Sequence, residues 1–132
     1  MAIISCESVD NKPARLDLLV VLGDKYLGDQ FQINLSGAPL NLTGAKIRGQ
    51  YREKSKTGTL VKEVSTTTDG GITITDAIGG TFISDPFTVD PSEFSAQNYW
   101  RDFEITDIVE GPLTPIEGIF EVYQDVTQPP TS

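Results

Sequence analysis

Apolar and polar residues alternate along much of this chain with a period of two. In "DQFQINLS" (29–36), Phe31, Ile33 and Leu35 fall on one face and Gln30, Gln32 and Asn34 on the other. In "AKIRGQYREK" (45–54), Ala45, Ile47, Gly49 and Tyr51 face one way, and Lys46, Arg48, Gln50 and Arg52 the other. "YWRDFEITDI" (99–108) repeats the pattern, with Trp100, Asp102, Glu104 and Thr106 opposite Tyr99, Arg101, Phe103, Ile105 and Asp107. Such alternation is what a strand with one buried face requires, because successive side chains leave opposite sides of the pleat.

The remaining segments read as strands of other kinds. "RLDLLVVLG" (15–23) is a nearly continuous apolar run and predicts a buried strand ending at a Gly-Asp turn. "KTGT" (56–59) predicts a hairpin turn into "LVKEVST" (60–66), and "TDGG" (68–71) a second one into "ITIT" (72–75). "AIGG" turns the chain into "TFISDPFTV" (81–89), and the last strand is "IEGIFEVYQDVT" (116–127). The Asp85-Pro86 and Asp90-Pro91 steps mark a bulge or edge and a strand end. One short helical turn is expected near 91–97, with Asp90 as its cap, Pro91 at its first position and Glu93 completing a capping box. About eight strands and no helix long enough for a crossover predict an all-β, antiparallel sandwich. The chain reads as a single domain over 1–132, with an N-terminal arm (1–14) and a C-terminal tail (126–132).

Composition narrows the chemistry. The chain has no His and one Cys, Cys6, so the commonest general base and zinc ligand are missing and no intrachain disulfide can form. Ser and Thr are plentiful, but no G-x-S-x-G elbow is present and nothing in the sequence activates them, so no enzyme, catalytic residue or cofactor is expected. Acidic side chains are too numerous for any carboxylate pair to signal a glycosidase. Asp69, Asp76, Asp85 and Asp90 lie near loops and could approach a cation, yet no EF-hand spacing exists. Tyr51, Tyr99, Trp100 and Tyr123 are the aromatics that a sugar site would use.

The net charge of −9 is unevenly distributed. Residues 1–68 hold nine of the ten Lys and Arg, whereas residues 69–132 hold twelve of the nineteen Asp and Glu. So acidic a surface disfavours nucleic acid, which needs clustered cations. The one basic cluster, Lys46, Arg48, Arg52, Lys54 and Lys56, is expected to meet an acidic surface of the same chain or of a neighbour. No apolar run reaches the roughly 18 residues of a membrane span, and the polar start "MAIISCESVDNKP" is unlike an export signal. The glycosylation patterns Asn34-Leu35-Ser36 and Asn41-Leu42-Thr43 are therefore expected to be coincidental, serving the turn between two strands.

The order of turn motifs adds a resemblance. Gly37-Ala38-Pro39 is followed by Asn41-Leu42-Thr43-Gly44, the basic alternating strand Ile47 to Lys54, and Thr57-Gly58-Thr59. Then come Asp69-Gly70-Gly71-Ile72-Thr73-Ile74, Gly80-Thr81-Phe82, the acidic strand Trp100–Asp107 and the closing segment Gly118–Val122. This succession resembles the small immunoglobulin-like β-sandwich domains of tailed-phage virions, similar to the N-terminal domain of phage baseplate upper proteins and to tail-fibre adaptor modules. The resemblance runs over about residues 20–127. It implies an immunoglobulin-like fold and a non-enzymatic structural role at the tail, baseplate or neck, in virions assembled in the bacterial host cytoplasm.

Relatives of that kind often continue into a fibre or receptor-binding region; a chain ending at Ser132 is expected to be a free-standing adaptor or decoration subunit. Its partners would be other virion proteins and further copies of itself, in a ring of three- or six-fold symmetry, with no nucleic acid or membrane. The interaction candidates are Lys46, Arg48, Arg52, Lys54, Lys56 and Trp100. Two other readings remain: a capsid decoration protein, and a carbohydrate- or host-surface-binding module, which would require exposed Trp100 and Tyr99.

Overall fold

The structure, a computed structural model, describes residues 3–8 and 12–124. In chain order the strands are β1 (Ile3–Ser8), β2 (Ala14–Arg15), β3 (Leu18–Val21), β4 (Lys25–Tyr26), β5 (Asp29–Leu35) and β6 (Ala38–Pro39). They continue with β7 (Lys46–Glu53), β8 (Leu60–Ser65), β9 (Ile72–Asp76), β10 (Thr81–Ser84), β11 (Phe87–Thr88), β12 (Gln97–Thr106) and β13 (Leu113–Tyr123). One sheet runs β1-β5-β10-β9, with β6 also on β5. The other runs β2-β13-β12-β7-β8, with β3 continuing β2 along β13. Neither sheet closes on itself, and β4 and β11 form a separate two-stranded pair.

The two inner faces meet through aromatic rings. Phe103 of β12 lies 5.4 Å from Phe31 of β5 and 5.8 Å from Phe82 of β10, centroid to centroid. Beside them Tyr51, Phe94, Tyr99 and Phe120 form a second cluster, buried to within 2% of complete. Phe87 of β11 and Tyr26 of β4 close over it, Phe87 lying 5.7 Å from Tyr51 and Tyr26 lying 5.8 Å from Phe120. The alternation expected for 29–36, 45–54 and 99–108 appears as buried Phe31 and Ile33, Ile47, Gly49 and Tyr51, and Tyr99, Arg101, Phe103 and Ile105. Gly49 has a packing reason: a Cβ there would lie 2.7 Å from the Phe103 ring and 2.8 Å from Val64.

Several expectations are corrected. The sandwich is mixed rather than purely antiparallel, because β1 runs parallel to β5 and both β2 and β3 run parallel to β13. It is a more general multi-strand sandwich than the eight-stranded immunoglobulin-like arrangement. The N-terminal segment is not an arm throughout: Ile3–Ser8 is a sheet strand that buries Cys6 and Ser8. The tail 126–132 lies outside the described residues. The apolar run 15–23 is an interrupted edge with Leu19 58% exposed, not a buried strand. Its interruption has a chemical cause, since Asp17 Oδ1 takes the Ile119 amide at 2.8 Å in place of a main-chain carbonyl. Opposite that break a Cβ on Gly118 would come within 2.0 Å of the Leu16 carbonyl oxygen, so only glycine lets the chain pass.

"TDGG" is not a hairpin, because β8 and β9 belong to different sheets; the turn carries the chain across the sandwich. The segment 81–89 likewise divides at Asp85-Pro86, β10 staying in the first sheet and β11 joining β4. The helical turn near 91–97 amounts to a single capped turn. Asp90 accepts Phe94 N at 2.8 Å through its carbonyl and Ser92 N at 2.9 Å through its side chain. Glu93 forms no capping box; its carboxylate pairs instead with Lys62 at 3.6 Å.

Candidate functional site

The outer face of the second sheet gathers all the candidate residues, because the period-two side of β7 points away from the core. Register then decides their partners. β12 lies antiparallel beside β7 with Glu104 directly opposite Arg48, and Arg48 Nη2 reaches Glu104 Oε1 at 3.0 Å. Lys46 reaches Asp107 at 3.3 Å, and Lys56, from the β7–β8 turn, reaches Glu117 of β13 at 3.1 Å. Arg52 finds no carboxylate among the described residues and donates to the Gly58 carbonyl at 3.1 Å and to Gln50 Oε1 at 3.0 Å. Lys54 is exposed and sits at positive φ, its amide bound to the Asn98 carbonyl. The acidic surface that three of the five cations meet is thus the chain's own late strands. Exposed pairs of this kind contribute about 0–1 kcal/mol each and leave the face neutralised rather than basic.

Trp100 is on this outer face, not between the sheets. Its ring is clamped by two cations, Arg15 at 5.2 Å and Lys56 at 5.1 Å from the centroid, each attracted to the negative face of the indole. The indole Nε1 is buried without a hydrogen-bond partner. Next to it Asp102 stands directly opposite Glu117. Burial first, and then the Glu117 carboxylate, hold the Asp102 carboxyl above the usual carboxylate range, while Arg52 and Lys56 partly offset them.

The site that sequence reasoning missed lies inside. Arg101 occupies an inward position of β12 and is 2% exposed, with its guanidinium Nη1 3.2 Å from both Asp29 Oδ2 and Tyr26 Oη. Tyr26 in turn donates to Asp29 Oδ2 at 2.5 Å. The rings of Phe103 and Phe120 flank the cation at 5.5 and 5.6 Å. Burial disfavours the charged guanidinium, but the Asp29 carboxylate at 3.2 Å offsets it and Arg101 remains a cation. Burial pushes the Tyr26 and Tyr51 phenols up, so both stay neutral. The Tyr51 and Ser84 hydroxyls are buried near this cluster without completing a hydrogen bond. The signal was legible: the 99–108 alternation puts Arg101 on the same face as Tyr99, Phe103 and Ile105.

The other candidates have structural occupations. Tyr99 is 1% and Tyr51 0% exposed, so neither can stack on a sugar. Among the described residues no three His, Cys, Asp or Glu side chains are arranged as metal ligands; Asp76 instead accepts the Gly79 amide at 3.0 Å. Cys6 is 1% exposed, and burial pushes its thiol up to about 11, the reverse of an activated nucleophile. Asn34 donates to Ser5 Oγ at 3.1 Å, and Asn41 Oδ1 accepts the Thr43 amide at 2.9 Å to set the turn that delivers Leu42 to the core. No helix among the described residues is long and apolar enough to cross a membrane.

The β3 edge carries exposed apolar side chains, as Ile3 of β1 and Leu60 of β8 also do. β3 spells Leu-Leu-Val-Val and lines a groove of about 310 Å³ with residues 24–29. Leu19, Leu27 at the same groove, and Tyr123 paired with Val21 are 58, 72 and 40% exposed.

These features define an all-β domain of two packed, mixed sheets, with a charge-paired outer face and a buried ion pair. Over nearly its whole length the fold is similar to the N-terminal domain of phage TP901-1 ORF48, with a TM-score of 0.51 at 12% identity, covering 93% of this chain and 96% of that one. At that identity the likeness is one of fold. No protein-family profile matches the chain, and no curated protein matches it.

Proposed function

We propose that this chain is a non-enzymatic structural protein of a tailed-phage virion, an adaptor of the tail, baseplate or neck that docks other subunits as a multimer. The observation that carries the reading is the end-to-end likeness of fold to a phage protein domain, over 93% of this chain and 96% of that one. The outer face around Trp100, framed by Lys46, Arg48, Arg52, Lys54 and Lys56, is the surface assigned to virion partners. Intrachain pairs hold Lys46, Arg48 and Lys56 in place, so a partner meets a partly preset pattern of charge around one aromatic group. A ring of three- or six-fold symmetry remains the expected setting.

Antibody labelling of intact particles tests this reading. Label at the tail tip, the baseplate or the neck is expected. Label spread over the capsid would replace the adaptor by a decoration protein, and particles without label would overturn the virion assignment.

A further inference from the structure

Trp100 is the single tryptophan of the chain, and strand register sets an unevenly charged row beside it. Glu117 of β13 stands between Arg15 of β2 on one side and Asp102 of β12 on the other. Like charges directly opposite one another destabilise a strand pair, and little relieves this one. Gln50, opposite Asp102 from β7, spends its amide on Glu63 at 2.8 Å. Arg48 is held by Glu104, Arg52 donates to Gly58 and Gln50, and Arg15 is held by Asp17 at 2.7 Å. Glu110 adds a third carboxylate to the groove of about 520 Å³ that Asp102, Glu117 and Lys56 line. Among the described residues the cation paired with this row is Lys56, 3.1 Å from Glu117 Oε2.

The same ammonium lies 5.1 Å from the centroid of the Trp100 ring. The main chain on either side of Lys56 is pinned. Glu53 N donates to Thr59 O at 2.9 Å and Gly58 N to Ser55 O at 3.0 Å, and a Cβ on Gly58 would collide with the Glu53 carbonyl. The Lys56 side chain is 61% exposed, so it can swing off the ring by rotation about its own stem while the sheet stays as it is. The cover on the other cation's side is built differently. Arg15 lies 5.2 Å from the ring centroid, and its anchor Asp17 is held below the usual carboxylate range, first by the Ile119 amide and then by Arg15 itself.

We propose that Lys56 is a latch over one face of Trp100, held shut by the facing carboxylates of Asp102 and Glu117, and that protonation of this pair releases it. The direction follows from the charges. At neutral pH two carboxylates hold one ammonium at this corner. Burial and the Glu117 charge make Asp102 take up a proton ahead of an ordinary carboxyl; Glu104 adds to the repulsion, while Arg52 and Lys56 oppose it. The pair then carries one charge instead of two, and the pull on Lys56 falls. An exposed ion pair is weak to begin with, so the loss of one charge is enough to shift it. Asp17 keeps its charge through the same range, so Arg15 stays in place and only the Lys56 face of the indole is uncovered. What an uncovered Trp100 serves, the docking of a virion partner, rests on the function proposed above. The latch itself does not: particle labelling tests that reading, and purified chain tests this one.

The experiment is acrylamide quenching of the Trp100 fluorescence in the full chain between about pH 8 and about pH 5, with circular dichroism confirming the fold at each pH. Freeing one of two covered faces should raise the quenching constant about twofold as the pH falls. Lys56→Ala, a change at an exposed turn, should show the higher constant at both ends of the range. Asp102→Asn combined with Glu117→Gln should do the same, because no charge is left to hold the latch or to release it. Lys46→Ala, which breaks an ion pair elsewhere on the face, should keep the native pH response. A native chain whose quenching does not change with pH overturns the proposal, as does a response that survives in Lys56→Ala or in the double variant.

Discussion

Replacing Arg101 by Met removes the one cation from the centre of the core while nearly keeping its length and volume. Asp29, 15% exposed, would be left with only the Tyr26 hydroxyl, 2.5 Å away, as a partner. Breaking a buried pair from one side costs about 3–5 kcal/mol, because the surviving charge stays desolvated. Water can still reach Asp29, which puts Arg101→Met near the lower figure, about 3 kcal/mol. Asp29→Asn strands a guanidinium that is 2% exposed and should cost at least as much. The double variant leaves no charge, and the side-chain carbonyl introduced by Asp29→Asn can still accept the Tyr26 hydroxyl. It should therefore lose less than the sum of the singles by about 3 kcal/mol, the upper end of measured couplings. Urea unfolding followed by circular dichroism reads all four corners of the cycle, and the single variants should melt roughly 10–20 °C lower. An Arg101→Met cost below about 1 kcal/mol, or a double variant that is simply additive, would refute the idea that the pair acts as a unit.

Other consequences are open to measurement. Asp102 is raised by burial and by Glu117, so the folded chain holds its proton more tightly than the unfolded one; the penalty is absent in acid and sets in as pH rises through the raised value. Asp102→Asn should then stabilise by about 0.2–1 kcal/mol at pH 7 and not at all near pH 3, and a pH-independent effect would contradict the like-charge account. Gly118→Ala should cost roughly 1–3 kcal/mol and speed amide exchange at Leu16 and Leu22, since the new Cβ would displace the Leu16 carbonyl; unchanged exchange would show that the edge does not depend on that contact. Cys6, a buried residue of β1, should react with a thiol reagent at pH 8 more than a hundredfold more slowly in native chain than in urea. Equal rates would mean that β1 does not stay on β5.

What could be read from the sequence depended on contrast between the two faces of each strand. β7 and β12 alternate large apolar residues with charges, so their faces were legible at single-residue resolution. β1 was not, because its inward set is Ile4, Cys6 and Ser8 and its outward set Ile3, Ser5 and Glu7, and neither set is clearly apolar. The run at 15–23 misled for the opposite reason: hydrophobicity without alternation suits a buried strand, and nothing local says that Asp17 will cap Ile119 and leave Leu19 at an edge. "TDGG" specifies a turn but not whether the strands it joins stay in one sheet; that is settled by pairing at a distance. The basic cluster shows the same limit. Its residues were evident, yet their carboxylate partners follow from the β7–β12 register, which places Arg48 opposite Glu104 across 56 residues of chain. Arg101 lay in plain view on an apolar face, and its anion, Asp29, came from another sheet.

The proposed docking role makes the chain a component of particles rather than a free protein of the infected cell. Quantitative mass spectrometry of gradient-purified particles measures this most directly. The account predicts this chain at a fixed copy number, a small multiple of three, unchanged through a second gradient. Its absence from particles, or a copy number that falls with each purification step, would contradict it.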